Sequence, residues 1–216
     1  MHLPCRNGFI LSYSHAMQDV AALEINEYTT QKRYLEIGAN HPTIFGNNTS
    51  LLEHLGWSGI SIEKDNKWYW HWRKSWRDLN RLMIIDAFDV DYSQFKHKHF
   101  EFLQVDIEPP FQTYKILEKI IHSGITANFI TFEHDLYASK KNIKYKNLAK
   151  DLLKNDYDIL CENVHKTDNA NGIYEDWFVI KSLNNEKTIN DISSNWIDWC
   201  YKNQNKYCPR HFPVII

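Results

Sequence analysis

A chain of 216 residues with 43% hydrophobic content can bury a full core as a single domain, since roughly 150 residues per domain is only a soft prior. Lys plus Arg number 25 against 27 Asp plus Glu, a net charge of −2, so no global positive field draws the chain toward nucleic acid or anionic lipid. The four cysteines, Cys5, Cys161, Cys200 and Cys208, form no Cys-x-x-Cys pair, and no apolar run approaches the roughly 20 residues that span a bilayer; with no signal-peptide pattern at the N-terminus, a cytoplasmic protein that does not enter a membrane is expected.

The first element predicted in chain order is a helix over 14–27 capped by Ser14, with Met17, Val20, Ala21, Leu23 and Ile25 apolar. It lies within an N-terminal helical extension, 1–30. A strand follows at Tyr34-Leu35-Glu36-Ile37, and then segments alternate: helix 49–55, strand 58–63, helix 65–77, strands 81–86 and 100–106, helix 110–122, strand 128–133, helix 142–154 and strand 157–163. Alternation at these lengths argues an α/β fold with a doubly wound, mostly parallel sheet. Near the end, Asp158 to Glu162 and Tyr174 to Ile180 are two strands joined by a loop rich in Asn, Asp and Gly, so an antiparallel hairpin is expected to close the sheet. Residues 183–192 read as a polar surface loop, opening a tail over 183–216 whose final Pro-Val-Ile-Ile is expected to dock on the body.

Chemistry-bearing residues gather at the predicted strand ends. The first strand delivers Glu36, then the turn Gly38-Ala39-Asn40, and the run Asn47-Asn48-Thr49-Ser50 supplies N-cap residues before the next helix. About 25 residues on, Glu63 ends a second strand, where Rossmann-like sites place the carboxylate that accepts ribose hydroxyls. Two acids so spaced suggest an adenosine moiety. Asp86 ends a third strand, as a reader of the adenine amino group or a plain surface acid. Asp106 and Glu108 end a fourth; they could hold a hydroxyl substrate, ligate a divalent metal or act as a base, or else cap the strand and favour the following helix electrostatically. Spacing demands no metal. Phe132-Glu133-His134-Asp135 makes His134 the candidate general base, with a structural histidine as the alternative. Trp68, Trp72 and Trp76 repeat every four residues within a basic stretch; core packing with a solvated Arg/Lys face is favoured over stacking on nucleic acid.

These residues resemble the FkbM-like S-adenosylmethionine-dependent methyltransferases over roughly residues 10–180. Tyr13-Ser14 with Gln18-Asp19 resembles that family's N-terminal helix motif, Tyr34 to Asn40 its cofactor loop, and Asn48-Thr49 with Leu51-Leu52-Glu53 its following helix. Gly56-Trp57-Ser58-Gly59 with Ile62-Glu63 is similar to its second motif and Val105-Asp106-Ile107-Glu108 to its Ile-Asp-Val-Glu motif. The resemblance implies a Rossmann-like class I methyltransferase fold and methyl transfer from S-adenosylmethionine, commonly to a hydroxyl of a sugar or other small metabolite. With the strand-end reading of Asp86 and His134, it places Gln18, Asp19, Glu36, Gly38, Asn40, Asn48, Thr49, Glu63, Asp86 and Asp106 around the cofactor, and His134, Asp106 and Glu108 at the chemistry. Two alternatives stand beside it. One is an amino-methyltransferase acting on a nucleobase through Glu108-Pro109-Pro110-Phe111, and the other a binding module without turnover. The oligomeric state is not legible.

Overall fold

The computed structural model describes residues 5–6, 9–44, 46–166, 169–203 and 207–209. Its first half runs β1 (Cys5–Arg6), β2 (Phe9–Ser12), α1 (Gln18–Ile25), β3 (Arg33–Ile37), α2 (Ser50–His54), β4 (Ser58–Glu63), α3 (Tyr69–Lys74), β5 (Leu82–Ile84) and β6 (His99–Val105). Then follow α4 (Pro110–His122), β7 (Thr126–Glu133), α5 (Ile143–Leu153), β8 (Tyr157–Lys166), β9 (Asn169–Ile180), α6 (Glu186–Ser194), α7 (Trp196–Asn203) and β10 (Tyr207–Pro209). Seven strands form the main sheet in the order β5-β4-β3-β6-β7-β9-β8. The five from β5 to β7 are mutually parallel, and β9 runs antiparallel to both β7 and β8. This is the class I methyltransferase strand arrangement, a Rossmann-like parallel sheet closed by an antiparallel hairpin.

The sheet is buried on both faces because its central strands carry apolar side chains in both directions. Tyr34, Phe102, Phe129 and Trp177 face one layer, which they fill with Val20 and Ala21 of α1, Leu51 and Leu52 of α2 and Trp199 of α7. Leu35, Ile37, Leu103, Val105, Ile130 and Phe132 face the other, against Ile116, Leu117 and Ile120 of α4 and Ala149 and Leu153 of α5. Pro110 stands in the first turn of α4, where a missing N–H costs nothing.

Several boundaries differ from expectation. The first helix starts at Gln18, after Met17 at φ 61, while Ser14 accepts the Asp19 N–H at 3.0 Å from outside it. The stretch expected as a helix over 65–77 is a 3-10 turn, Asn66–Trp68, and the six-residue α3. Of the repeat Trp68, Trp72 and Trp76 only Trp72 is buried; Trp76 is 42% exposed, and Arg77 lies inside the protein rather than on a solvated face. Residues expected as a polar loop contain α6, which buries Ile192. A second sheet, β1-β2-β10, adds to the expected architecture. The docking expected of the last four residues falls outside the described residues.

Candidate functional site

Parallel strands bring their carboxyl ends to one edge, and there β4, β3, β6 and β7 end at Glu63, Ile37, Val105 and Glu133. Gly38 turns the chain at φ +84, and its Gly38 and Ala39 N–H groups both donate to the Ile62 carbonyl. A Cβ at Gly38 would sit 1.7 Å from the Asp106 carbonyl oxygen, so glycine is required by the approach of β3 to the end of β6, before any ligand is considered. Asn40 follows at φ 51; its N–H donates to Glu63 Oε2 at 2.7 Å, and the Asp65 N–H donates to Oε1 at 2.7 Å. With one backbone donor on each oxygen, the Glu63 carboxylate is fixed in direction and keeps a lone pair per oxygen for a ligand.

Glu63 lines a cleft of about 640 Å³ whose walls include Gly38, Asn40, Trp68, Asp86 and Asp106, with Glu108 at its far side. Asp86 pairs with Lys64 at 2.5 Å and accepts the Phe88 N–H at 3.0 Å, contacts that hold its carboxyl below the ordinary range. Trp68 is half-buried on the wall. A smaller cavity of about 150 Å³ opens deeper under the turn, between Glu36, Gly38, Asn40, Gln104, Asp106, Glu133 and Tyr174. Glu36 accepts the Ser61 hydroxyl at 2.6 Å and lies 3.8 Å from Arg77; burial still pushes its carboxyl up.

Carboxyl groups crowd the ends of β6 and β7. A hydrogen bond to Asp135, together with partial burial and the charges of Asp135 and Asp106, raises Glu108 to about 7. Burial, with Asp106 and Asp135 as neighbours, raises Glu133 well above its ordinary value. Glu175, opposite Glu133 on β9, is lifted by burial to about 8 although Gln18 and Trp177 donate to it. Groups in this state hold and release protons near neutrality, which suits acid–base work.

Of the residues predicted from sequence, Glu36, Gly38, Asn40, Glu63, Asp86, Asp106 and Glu108 line these two cavities. Gln18, Asp19, Asn48, Thr49 and His134 do not. Asp19 is fully buried and clasps the chain before α1, accepting Ser12 Oγ at 2.6 Å and the Tyr13 N–H at 2.8 Å. Gln18 donates to the Tyr174 hydroxyl at 2.6 Å and to Glu175 at 2.7 Å, tying α1 to β9. Thr49 accepts from Arg77 at 2.8 Å, and Asn48 is buried beside it. His134 is fully buried with Nε2 3.4 Å from Asp176 Oδ1, which also lies 3.5 Å from Lys146 Nζ and accepts the Asn163 N–H at 2.8 Å. Burial works to raise the Asp176 carboxyl, and His134, Asn163 and Lys146 outweigh it, so it stays below its ordinary value. His134, expected as a base at the pocket, lines neither cavity; its imidazole lies inside the protein beside Asp176, which Lys146 also approaches.

Sequence reasoning passed over Glu133, Asp135, Gln104, Tyr174 and Trp68. Glu133 had a signal, since it is the last residue of a predicted strand; Gln104 and Tyr174 had none, because nothing local announces which cavity a strand residue faces.

No family model matches the chain, and no curated protein does. Among solved structures, the chain is similar to P. horikoshii TYW2 in complex with MeSAdo, at 14% identity, covering 82% of this chain and 70% of that one, TM-score 0.47. A SAM-dependent methyltransferase from Bacteroides fragilis in complex with S-adenosyl-L-homocysteine gives 10% identity, 76% of each chain and TM-score 0.44. One from Archaeoglobus fulgidus gives 13% identity, 76% of this chain, 93% of the other and TM-score 0.44.

Proposed function

We propose that this protein is an S-adenosylmethionine-dependent methyltransferase. The observation that carries the reading is Glu63: a carboxylate at the end of the second parallel strand, oriented by the Asn40 and Asp65 N–H groups and presented to a cleft of about 640 Å³. That volume lies within the several hundred cubic ångströms of small-molecule sites. The donor set fits the cofactor: Glu63 would take the ribose hydroxyls, Asp86 the adenine end and Trp68 the flat face of the base, with Gly38, Asn40 and Asp106 toward the methionine portion. When bound, S-adenosylmethionine supplies a methyl group on a sulfonium. The chain's own part is positioning and proton handling. The turn at Gly38 would fix the cofactor side, and Asp106, Glu108 and Glu133 would receive an acceptor's proton.

The FkbM-like resemblance favours a hydroxyl acceptor on a sugar or other small metabolite. The carboxyl groups at the ends of β6 and β7 favour a basic one, and a nucleobase acceptor gains nothing from a wall of acids. No divalent metal enters the reading: among the described residues no group of three or more His, Cys, Asp or Glu has metal-binding geometry. Calorimetric titration with S-adenosylhomocysteine tests the proposal, with a nicotinamide dinucleotide as the control. Binding of the first alone is expected; binding of the second alone would overturn the assignment.

A further inference from the structure

Resting on that reading, we infer that the acceptor is an aliphatic amine that enters as its ammonium ion and is recognised by Glu108, Glu133 and Asp135, with Gln104 lining the same inner cavity as Glu133. Among the described residues none of these three acids forms an ion pair with a Lys, Arg or His, although fourteen such pairs occur elsewhere in the molecule. Their neighbours include one another, Asp106 and the Tyr137 and Tyr174 phenols. An acidic cluster alone proves little, since protons can share it. The independent observation is Gln104, which lines the inner cavity at 3% exposure and whose Oε1 has no hydrogen-bond donor. Asp135 Oδ1, also buried, has none either. A buried acceptor without a donor is destabilising, so a donor-rich ligand would complete such a site.

Ligand chemistry follows from that deficit. A hydroxyl brings one donor and adds two acceptor lone pairs where acceptors are already in surplus. An ammonium brings three donors and no acceptor, with a charge that relieves the repulsion among the acids. It must then pass one proton from nitrogen to a carboxylate; the freed lone pair would form the N–C bond to the sulfonium methyl as the C–S bond breaks and its electron pair stays on sulfur, releasing S-adenosylhomocysteine. Carboxylates whose proton affinity is raised by burial and by each other are suited to receive it, Glu108 near neutrality and Glu133 above its ordinary range.

The test uses the full chain, with and without saturating S-adenosylhomocysteine, and two probes of equal length, 1,4-diaminobutane and 1,4-butanediol. Calorimetry should show the diamine binding about tenfold or more tightly than the diol, as expected when hydrogen bonds to charged groups distinguish them. The Glu108→Gln/Glu133→Gln double variant should lose that preference while keeping its affinity for S-adenosylhomocysteine within about threefold. Asp135→Asn, probed separately, should weaken diamine binding in the same sense. A methyl-transfer screen should favour primary amines over sugar and phenol hydroxyls. Equal binding of diamine and diol, or a preference untouched by all of these variants, overturns the amine assignment. So does magnesium displacing the diamine at comparable concentration, which would make the acids a cation site. If the diamine preference appears but S-adenosylhomocysteine does not bind, the amine site stands and the methyltransferase reading falls.

Discussion

Acids gather on both sides of the β3 terminus, enclosed on one side and reaching from the interior to the surface on the other, and the protein treats the two groups differently. On the β4 side, Glu36 and Glu53 face Arg77, whose guanidinium is fully enclosed, 2.8 Å from Glu53 and Thr49 and 3.0 Å from the Tyr34 hydroxyl, with the Trp72 ring 4.1 Å away. On the β6–β7 side, Glu108, Glu133 and Asp135 neighbour each other, Asp106 and the Tyr137 and Tyr174 phenols, with no cation paired to them among the described residues. The first group is satisfied within the fold. On the proposed reading the second would meet a ligand, and the contrast separates acids that hold the structure from acids proposed to bind a substrate.

Removing Arg77 should give the largest effect. Arg77→Ala strands two buried carboxylates, and loss of one partner from a buried pair costs about 3–5 kcal/mol, measurable by denaturant unfolding. A loss under about 1 kcal/mol would erase the distinction between the two groups. Next is Glu63→Ala, which should weaken S-adenosylhomocysteine binding by about 1.5–3 kcal/mol, the range for hydrogen bonds to a charged group. Unchanged affinity would remove the ribose assignment.

The acid cluster should show itself in pH. Glu108 rises from an ordinary 4.5 to about 7 in the folded protein, so between those values the folded state holds a proton that the unfolded state has released. Stability must therefore fall as pH rises through that window. Melting temperature followed from pH 4.5 to about 8 should decline, and the Glu108→Gln/Glu133→Gln variant should flatten the decline. Arg77→Ala should not, because its carboxylates are not in the cluster. At the small end, Trp76→Ala should move stability by no more than about 0.5 kcal/mol, since the ring is 42% exposed. A larger loss would mean that the tryptophan repeat is core after all.

The strand ends are legible in the sequence because they are local: an apolar run followed by an acid marks Glu36, Glu63, Asp86 and Asp106 as crevice residues. Strand 58–63 and helix 110–122 fall where the pattern puts them. Side-chain direction is not legible in the same way. His134 and Glu133 are adjacent in sequence, and one faces Asp176 and Lys146 while the other faces the cavity, because successive side chains at a strand end point to opposite sides and only the tertiary fold decides what each side meets. Arg77 reads as solvated for the same reason, since only the packing of α3 reveals that its partners are Glu53 and Glu36. Helix α6 is obscured by polar residues, because a surface helix needs only Ile189 and Ile192 to dock.

The place of β9 also fixes when the site comes into being. β7 pairs with β9 and not with the earlier β8, and Glu133 stands opposite Glu175 in that pairing. During synthesis, every strand from β3 to β7 can associate as it emerges, yet the outer edge of β7 stays open until the segment around Glu175 to Val179 has been made. Until then the growing chain carries an unpaired β edge bearing part of its own substrate site, a surface that invites wrong partners. Tyr174 and Glu175 reach Gln18 of α1 only at that late stage, so the N-terminal helix and the inner cavity are completed together, by the last strand of the main sheet to be made.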